Sequence, residues 1–339
     1  MLRTDDFDYH LPEELIASRP PERRDASRML IVDRQAGTIE HAHFTDFPSL
    51  VTEDDLIILN DTKVVRSRFF SDDGKIEIVK LDAADATTWK CLVRPGKKMR
   101  LGRSTTIGGI TGTVIEILEK GERVIRFDEP VDIEKHGTLA LPHYMGRESE
   151  ATDLDRYQTV YAETEGAIAA PTAGLHFTEE ILSTLNHTAI TLHVGVGTFK
   201  PVKAEVITDH EMHTERYAIS PGATEKINAT TGRKISIGTT VTRVLEHAPE
   251  PLAPHAGETD IFIYPPYQFR RVDALLTNFH LPKSTLLMLV SALAGKELIE
   301  EAYAKAIEER YRFYSYGDAM LLLPSPAQRS VDAQRPSWG

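Results

Sequence analysis

Apolar positions change their spacing along the chain, and the changes divide it. RMLIVD and TIEHAHF flank Ala36-Gly37 and predict a β-hairpin turning there. DDLIILND, residues 54–61, is an unbroken apolar run that ends in polar side chains. That is the pattern of a buried strand delivering those side chains to a site. Upstream, LPEELIAS predicts a short helix. From 64 to 135 no helical period persists. KIEIVKL, WKCLVRPG, TTIGGITGTVIEIL and ERVIRFDEP follow one another with turn signals between them, which predicts a small all-β unit, a barrel.

After residue 150 the pattern is mixed again. Thr178 is placed to cap a helix whose first turn carries Glu179 and Glu180, with Ile181, Leu182 and Leu185 as its buried stripe. AITLHVGVGTF reads as a strand with Leu192, Val194 and Val196 on one face and His193 on the other. Pro282 and Ser284 open a helix through TLLMLVSALA, and KELIEEAYAKAIEERYRF forms a second after Gly295. HAPEPLAPHAG, 247–257, is a loop by composition. The expected fold class is α/β. A larger discontinuous α/β domain, 1–62 and 150–323, carries an inserted small β-barrel domain, 63–149, and 324–339 is a flexible tail.

Composition narrows the class. Of 339 residues, 41% are hydrophobic and 27% charged, as in soluble globular proteins that need no disulfide or metal to fold. Cys91 is the single cysteine, so no internal disulfide forms and a reducing, cytoplasmic home is expected. The acidic MLRTDDFDYHLPEEL is no signal peptide, and TLLMLVSALA is too short to span a bilayer. A net charge of −12 argues against diffuse nucleic-acid binding but leaves room for a local basic face. RPGKKMRLGR, 94–103, has five positive charges and no negative one; Arg19, Arg23, Arg24 and Arg28 form a second cluster.

Candidate chemistry concentrates in 166–213, which holds five of the 13 histidines among four glycines. Small residues admit a ligand close to the backbone, and imidazole moves protons near neutral pH. GVG at 195–197 lacks the third glycine and helix start of a dinucleotide loop, so it reads as a tight bend. PKST at 282–285 lacks the glycines of a phosphate loop and reads as a helix cap. His210, His213 and Glu215 have the atoms of a metal site in a spacing that matches no strong zinc pattern; proton transfer is the preferred reading. His176 and His280 each adjoin a phenylalanine and fit a core or a catalytic role. Asp61, Thr62 and Lys63 end the apolar strand. YRFYSYGDAML offers aromatic rings for a base or a sulfonium, or simply for the core. The residues alone thus give a two-domain pocket enzyme that handles protons.

The wording of these segments is more specific than their chemistry. AAPTAGLHFT, LHVGVGTFKPV, HEMHTERY, TNFHLPKSTLLMLVSALAG and YRFYSYGDAML resemble the S-adenosylmethionine:tRNA ribosyltransferase-isomerase family of queuosine biosynthesis. LPEELIASRPPERRDASRML, LNDTKVVRSR and DRYQTVYAETEGAIAAPTAG match as well, so the resemblance runs over about residues 1–323 in the family's order. It implies transfer and isomerisation of the ribosyl moiety of S-adenosylmethionine onto 7-aminomethyl-7-deazaguanine at a tRNA wobble position. The products are epoxyqueuosine-tRNA, adenine and methionine. It also implies an α/β domain with an inserted β-barrel.

On that resemblance, His176, His193, His210, His213 and Glu215 are the expected proton-transfer groups. Asp61, Thr62, Lys63, Thr172, Gly174, Thr198, Asn278, His280 and Asp318 are expected to orient donor or base. Lys97, Lys98, Arg100 and Arg103, with Arg66, Arg68 and Arg147, are expected to face tRNA phosphates. No cofactor or metal is expected, S-adenosylmethionine being a consumed substrate, and the protein is expected to be a cytoplasmic monomer. Two positions depart from the family pattern. Asp73-Gly74 stands where paired glycines are usual, and His143 stands in place of a proline. A metal-dependent hydrolase using 210–215, a silent tRNA-binding protein and a conventional methyltransferase are the competing readings.

Overall fold

The computed structural model of the chain describes residues 2–195, 197 and 202–324. Leu56–Asn60 is buried at every position because it lies inside a sheet covered on both faces. Among the described residues nine strands form that sheet. From edge to edge they are His255–Thr259, Glu215–Ile219, His187–Leu192, Leu56–Asn60, Lys234–Ile237, Ala274–Asn278, Ala319–Leu323, Arg28–Asp33 and Thr38–His43. Leu56–Asn60 runs parallel to both neighbours.

Side chains alternate across this sheet. Leu56 and Ile58 pack with Val241, Val244 and Leu245 of the helix Thr239–His247. Ile57 and Leu59 pack on the opposite face with Phe44, Phe47 and Phe177. Towards the other edge, Leu30, Val32, Met320 and Leu322 lie under the helices Thr285–Ala294 and Lys296–Glu308. Each such side chain contributes roughly 1.5–3 kcal/mol by burial, which is why this alternation fixes the register.

The second sheet has six antiparallel strands within residues 68–127. Its core, including Phe69, Trp89, Cys91 and Phe127, draws on residues 69–133 alone. The edges nearly close: Asp72 N donates to Thr106 O at 2.9 Å, and the Asp72 carboxylate accepts from the Gly108 and Gly109 amides. Both glycines have positive φ, as a two-residue hairpin turn of this hand requires. The chain passes between the two units through a parallel ribbon of Thr62–Val64 and Thr164–Ala167.

The hairpin turn at Gly37, the strand at 56–60 and the Thr178 and Ser284 caps all form as the sequence indicates. Other elements differ. LPEELIAS gives only a 3-10 turn, Glu13–Leu15. Backbone bonds from Phe313 N to Leu15 O and from Ala17 N to Phe313 O hold the following residues extended. The strand through AITLHVGVGTF stops at Leu192, where the Asn60 side chain takes both backbone groups of that residue in place of a strand partner. The last helix ends at Glu308, before the buried Tyr311 and Phe313. His255–Thr259 is an edge strand that begins inside the expected loop. No helix of the described residues is long and apolar enough to cross a membrane.

Candidate active site

Two adjoining compartments open where strands end, and Leu286 borders both. The larger, about 400 Å³, is charged: Lys203, Asp209, His210, His213, Glu215 and Arg243 line it. Glu215 is held from both sides. Its Oε1 accepts from Gly195 N at 3.1 Å, and its Oε2 lies 2.5 Å from Arg243 Nη2. Both side chains are buried, so this is a fixed ion pair and not a solvated base. His210 rests edge-on against Phe262, and burial pushes its pKa down, which keeps the ring neutral and able to accept a proton. Gly197 lies against His213; a Cβ there would come 2.3 Å from the ring. The glycine motif is therefore a close approach to an imidazole. Sequence reasoning missed Arg243, which lies opposite Val241, Val244 and Leu245 on the polar side of VTRVLEH, where helical periodicity marks a solvent-facing residue and not a buried one.

The smaller compartment, about 60 Å³, carries no charged side chain. Ala169–Ala173, the start of the helix at Thr239 and Thr240, Asn278 and His280 form its walls, with Tyr144 and Tyr314 packed together at 4.6 Å between ring centroids. Thr172 sits at the start of a 3-10 turn, Thr172–His176. Asn278 Nδ2 donates to His176 Nε2 at 3.2 Å, and His176 Nδ1 meets Ser27 Oγ at 3.0 Å. Burial drives the His176 pKa down to about 4, with the Arg312 charge adding to the effect. His280 is lowered by burial to about 3, and its Nε2 meets Thr277 Oγ1 at 3.0 Å. Both rings are neutral hydrogen-bonding groups enclosed by the fold.

The expected proton-transfer set is thus divided. His210, His213 and Glu215 come together, and His176 is buried behind Asn278. His193 faces away, with Nδ1 2.8 Å from Thr62 Oγ1 and a pKa lowered by burial and then by Arg216. Asp61 accepts from Thr191 Oγ1 at 2.6 Å, and burial raises its pKa. Lys63 pairs with Glu165 at 3.1 Å on the surface. Asp318 accepts from the Arg28 and Arg312 amides, which fixes the loop before the last strand. Gly174 is a packing position, since a Cβ would meet the Tyr161 hydroxyl at 2.0 Å. Thr198 lies outside the described residues. Among the described residues no cluster of three or more His, Cys, Asp or Glu side chains is arranged to hold a metal.

The basic residues also divide. Lys97, Lys98, Arg100 and Arg103 are exposed and line one open cleft on the small sheet, with Asp73 and Lys75 at its edge. Asp73 serves the adjacent turn, accepting from Ser71 Oγ and Lys75 N. Arg66 pairs with Glu134, Arg68 with Glu77 and Glu148, and Arg147 with the buried Asp153. Those three hold the protein's own chain together. Arg19, Arg23, Arg24 and Arg28 bond Glu150, Asp25, the Gln158 carbonyl and the Glu309 carbonyl. His143 is exposed.

A family model described as queuosine biosynthesis protein matches residues 4–322, which takes in both compartments and the small sheet. The chain belongs to that family. An S-adenosylmethionine:tRNA ribosyltransferase-isomerase of Pelobacter propionicus is 47% identical over 338 residues, covering 94% of this chain and 98% of that protein. One of the same name from Symbiobacterium thermophilum is 48% identical, covering 95% and 100%. The crystal structure of an S-adenosylmethionine tRNA ribosyltransferase from Thermotoga maritima aligns with a TM-score of 0.55 at 36% identity, covering 94% of this chain and all of that one. The family is one of enzymes, and its α/β fold with a barrel-like second sheet is the fold found here.

Proposed function

We propose that the protein transfers and isomerises the ribosyl moiety of S-adenosylmethionine onto 7-aminomethyl-7-deazaguanine at the wobble position of a tRNA. Epoxyqueuosine-tRNA, adenine and methionine are the products. The observation that supports this best is convergence. AAPTAGLHFT, HEMHTERY, TNFHLPKST and YRFYSYGDAML, scattered over the sequence, line or support the two adjoining compartments, within a family match that spans the chain.

The chemistry asks for a base, an acid and a closed pocket. The sulfonium acidifies the adjacent C5′ hydrogens of the ribose, so a neutral imidazole can begin the reaction. We assign that proton transfer to the pair His210 and His213, beside the Glu215–Arg243 ion pair. His176, enclosed behind Asn278, becomes a positioning residue, and His193 supports the Thr62 ribbon. Adenine leaves, the neutral aminomethyl nitrogen attacks, and loss of methionine closes the epoxide. The donor's own sulfonium supplies the activation, so the proposed reaction uses no metal or resident cofactor. The exposed Lys97, Lys98, Arg100 and Arg103 are the proposed phosphate contacts for tRNA.

Incubation with S-adenosylmethionine and tRNA bearing the aminomethyl base tests the reading. Adenine and methionine, unaffected by chelator, are expected. S-adenosylhomocysteine would instead mean methyl transfer, and loss of turnover in chelator would mean metal-assisted chemistry.

A further inference from the structure

Asn278 is 3% exposed, and its Oδ1 has no hydrogen-bond partner among the described residues. An unmet buried acceptor costs about 1–3 kcal/mol, so a fold that keeps one needs a reason. The orientation of the amide is fixed from behind. The Asp318 carbonyl, 3.5 Å from Nδ2, can only accept, and His176 Nε2 accepts at 3.2 Å. The carbonyl requires the NH₂ group on the inner side; with the amide so turned, Nε2 is the accepting nitrogen of the His176 ring and Oδ1 is turned towards the neutral compartment. His176 is in turn set by Ser27, to which Nδ1–H donates. The walls around Oδ1 include Thr172, Thr239, Thr240 and Ser315, with no carboxylate or cation. Such a surface suits a neutral heteroaromatic edge and gives no counter-ion to an amino acid's carboxylate or ammonium. Those charges have partners next door, where Arg243, Lys203 and Glu215 stand.

We propose that Asn278 Oδ1 is the acceptor for an N–H on the amino-bearing edge of a purine-type base, and that Ser27 and His176 hold it in register for that purpose. This rests on the reaction proposed above, which offers two such bases: the adenine of the donor and the deazaguanine of the tRNA. A site built to pair an N–H discriminates strongly against an analogue that lacks it, because its acceptor is then left unmet.

The experiment measures dissociation constants for S-adenosylmethionine and for its analogue with the exocyclic amine replaced by hydrogen, and KM for tRNA carrying the aminomethyl base. Wild type and Asn278→Ala are compared, with Asn278→Ser as the substitute if the alanine variant does not fold. If adenine is the partner, wild type prefers S-adenosylmethionine by about tenfold or more and the variant loses that preference. If the tRNA base is the partner, the two donors bind alike and the variant raises KM for tRNA by about tenfold or more. Unchanged donor binding and unchanged KM in the variant overturn the proposal. The positioning role has its own arm: His176→Gln, which can still accept from the Asn278 amide, keeps the wild-type donor preference or the wild-type KM for tRNA, whichever Asn278→Ala alters, and His176→Phe loses it. Equal behaviour of those two variants overturns the role of His176. Donor binding needs no turnover, so these readings stand apart from the product analysis that tests the reaction itself.

Discussion

Glu215 Oε2 and Arg243 Nη2 are 2.5 Å apart and buried, joining the strand Glu215–Ile219, next to the sheet edge, to the helix Thr239–His247 in the wall of the charged compartment. Removing one partner leaves the other charge buried without its counter-ion. Glu215→Gln or Arg243→Met is therefore expected to cost about 3–5 kcal/mol of stability. Replacing both by apolar residues recovers much of that. Urea denaturation of the two single variants and the double variant checks it; additive losses would show that the pair is not coupled.

Gly197 gives a test that separates function from stability. Alanine there would press on the His213 ring, with a Cβ at 2.3 Å from it. We expect Gly197→Ala to lower kcat by about tenfold or more through a misplaced imidazole. The unfolding midpoint is expected to stay close to wild type, because the ring lines an open compartment. Gly174→Ala is the contrast. Its Cβ would meet the Tyr161 hydroxyl in a packed interior, and overpacking of that kind costs about 1–3 kcal/mol.

The buried histidines set a pH dependence of stability. His176 and His280 have folded pKa values near 4 and 3, below the ordinary 6.5. Above 6.5 both states hold these rings neutral, and there is no effect. As pH falls below 6.5 the unfolded chain binds protons that the native state refuses, so stability declines towards pH 4. Each ring contributes a slope of up to about 1.4 kcal/mol per pH unit in that window. Urea midpoints between pH 7.5 and 5 measure the decline, and His280→Gln is expected to reduce it. A flat profile would contradict the burial of these rings.

Charge neutralisation distinguishes the two classes of arginine and lysine. Lys97→Gln, Lys98→Gln and Arg100→Gln together are expected to weaken tRNA binding. The slope of log K against log salt is expected to fall by about 1 for each phosphate-binding cation removed. Thermal stability is expected to change little, because these side chains are exposed. Arg147→Gln breaks the pair with the buried Asp153 and is expected to destabilise the fold while leaving the salt slope unchanged. The reverse pattern would move the tRNA face away from the small sheet.

The sequence by itself determined what local physics decides. Alternation and apolar runs located the strands at 28–33, 38–43 and 56–60, and turn residues marked off the β-rich segment. Ser284 and Thr178 announced their helices through caps that act within four residues. Motif wording determined the family. What only the tertiary structure decided are relationships between distant positions. Nothing near His176 says that Asn278, 102 residues away, occupies its Nε2, or that the ring is sealed from the site it was expected to serve. The ion pair of Arg243 with Glu215 and the internal partners of Arg66, Arg68 and Arg147 are equally non-local. A residue type announces the chemistry of which it is capable. Burial and partners, which depend on how the whole sheet stacks its neighbours, decide whether that chemistry faces a ligand or holds the fold.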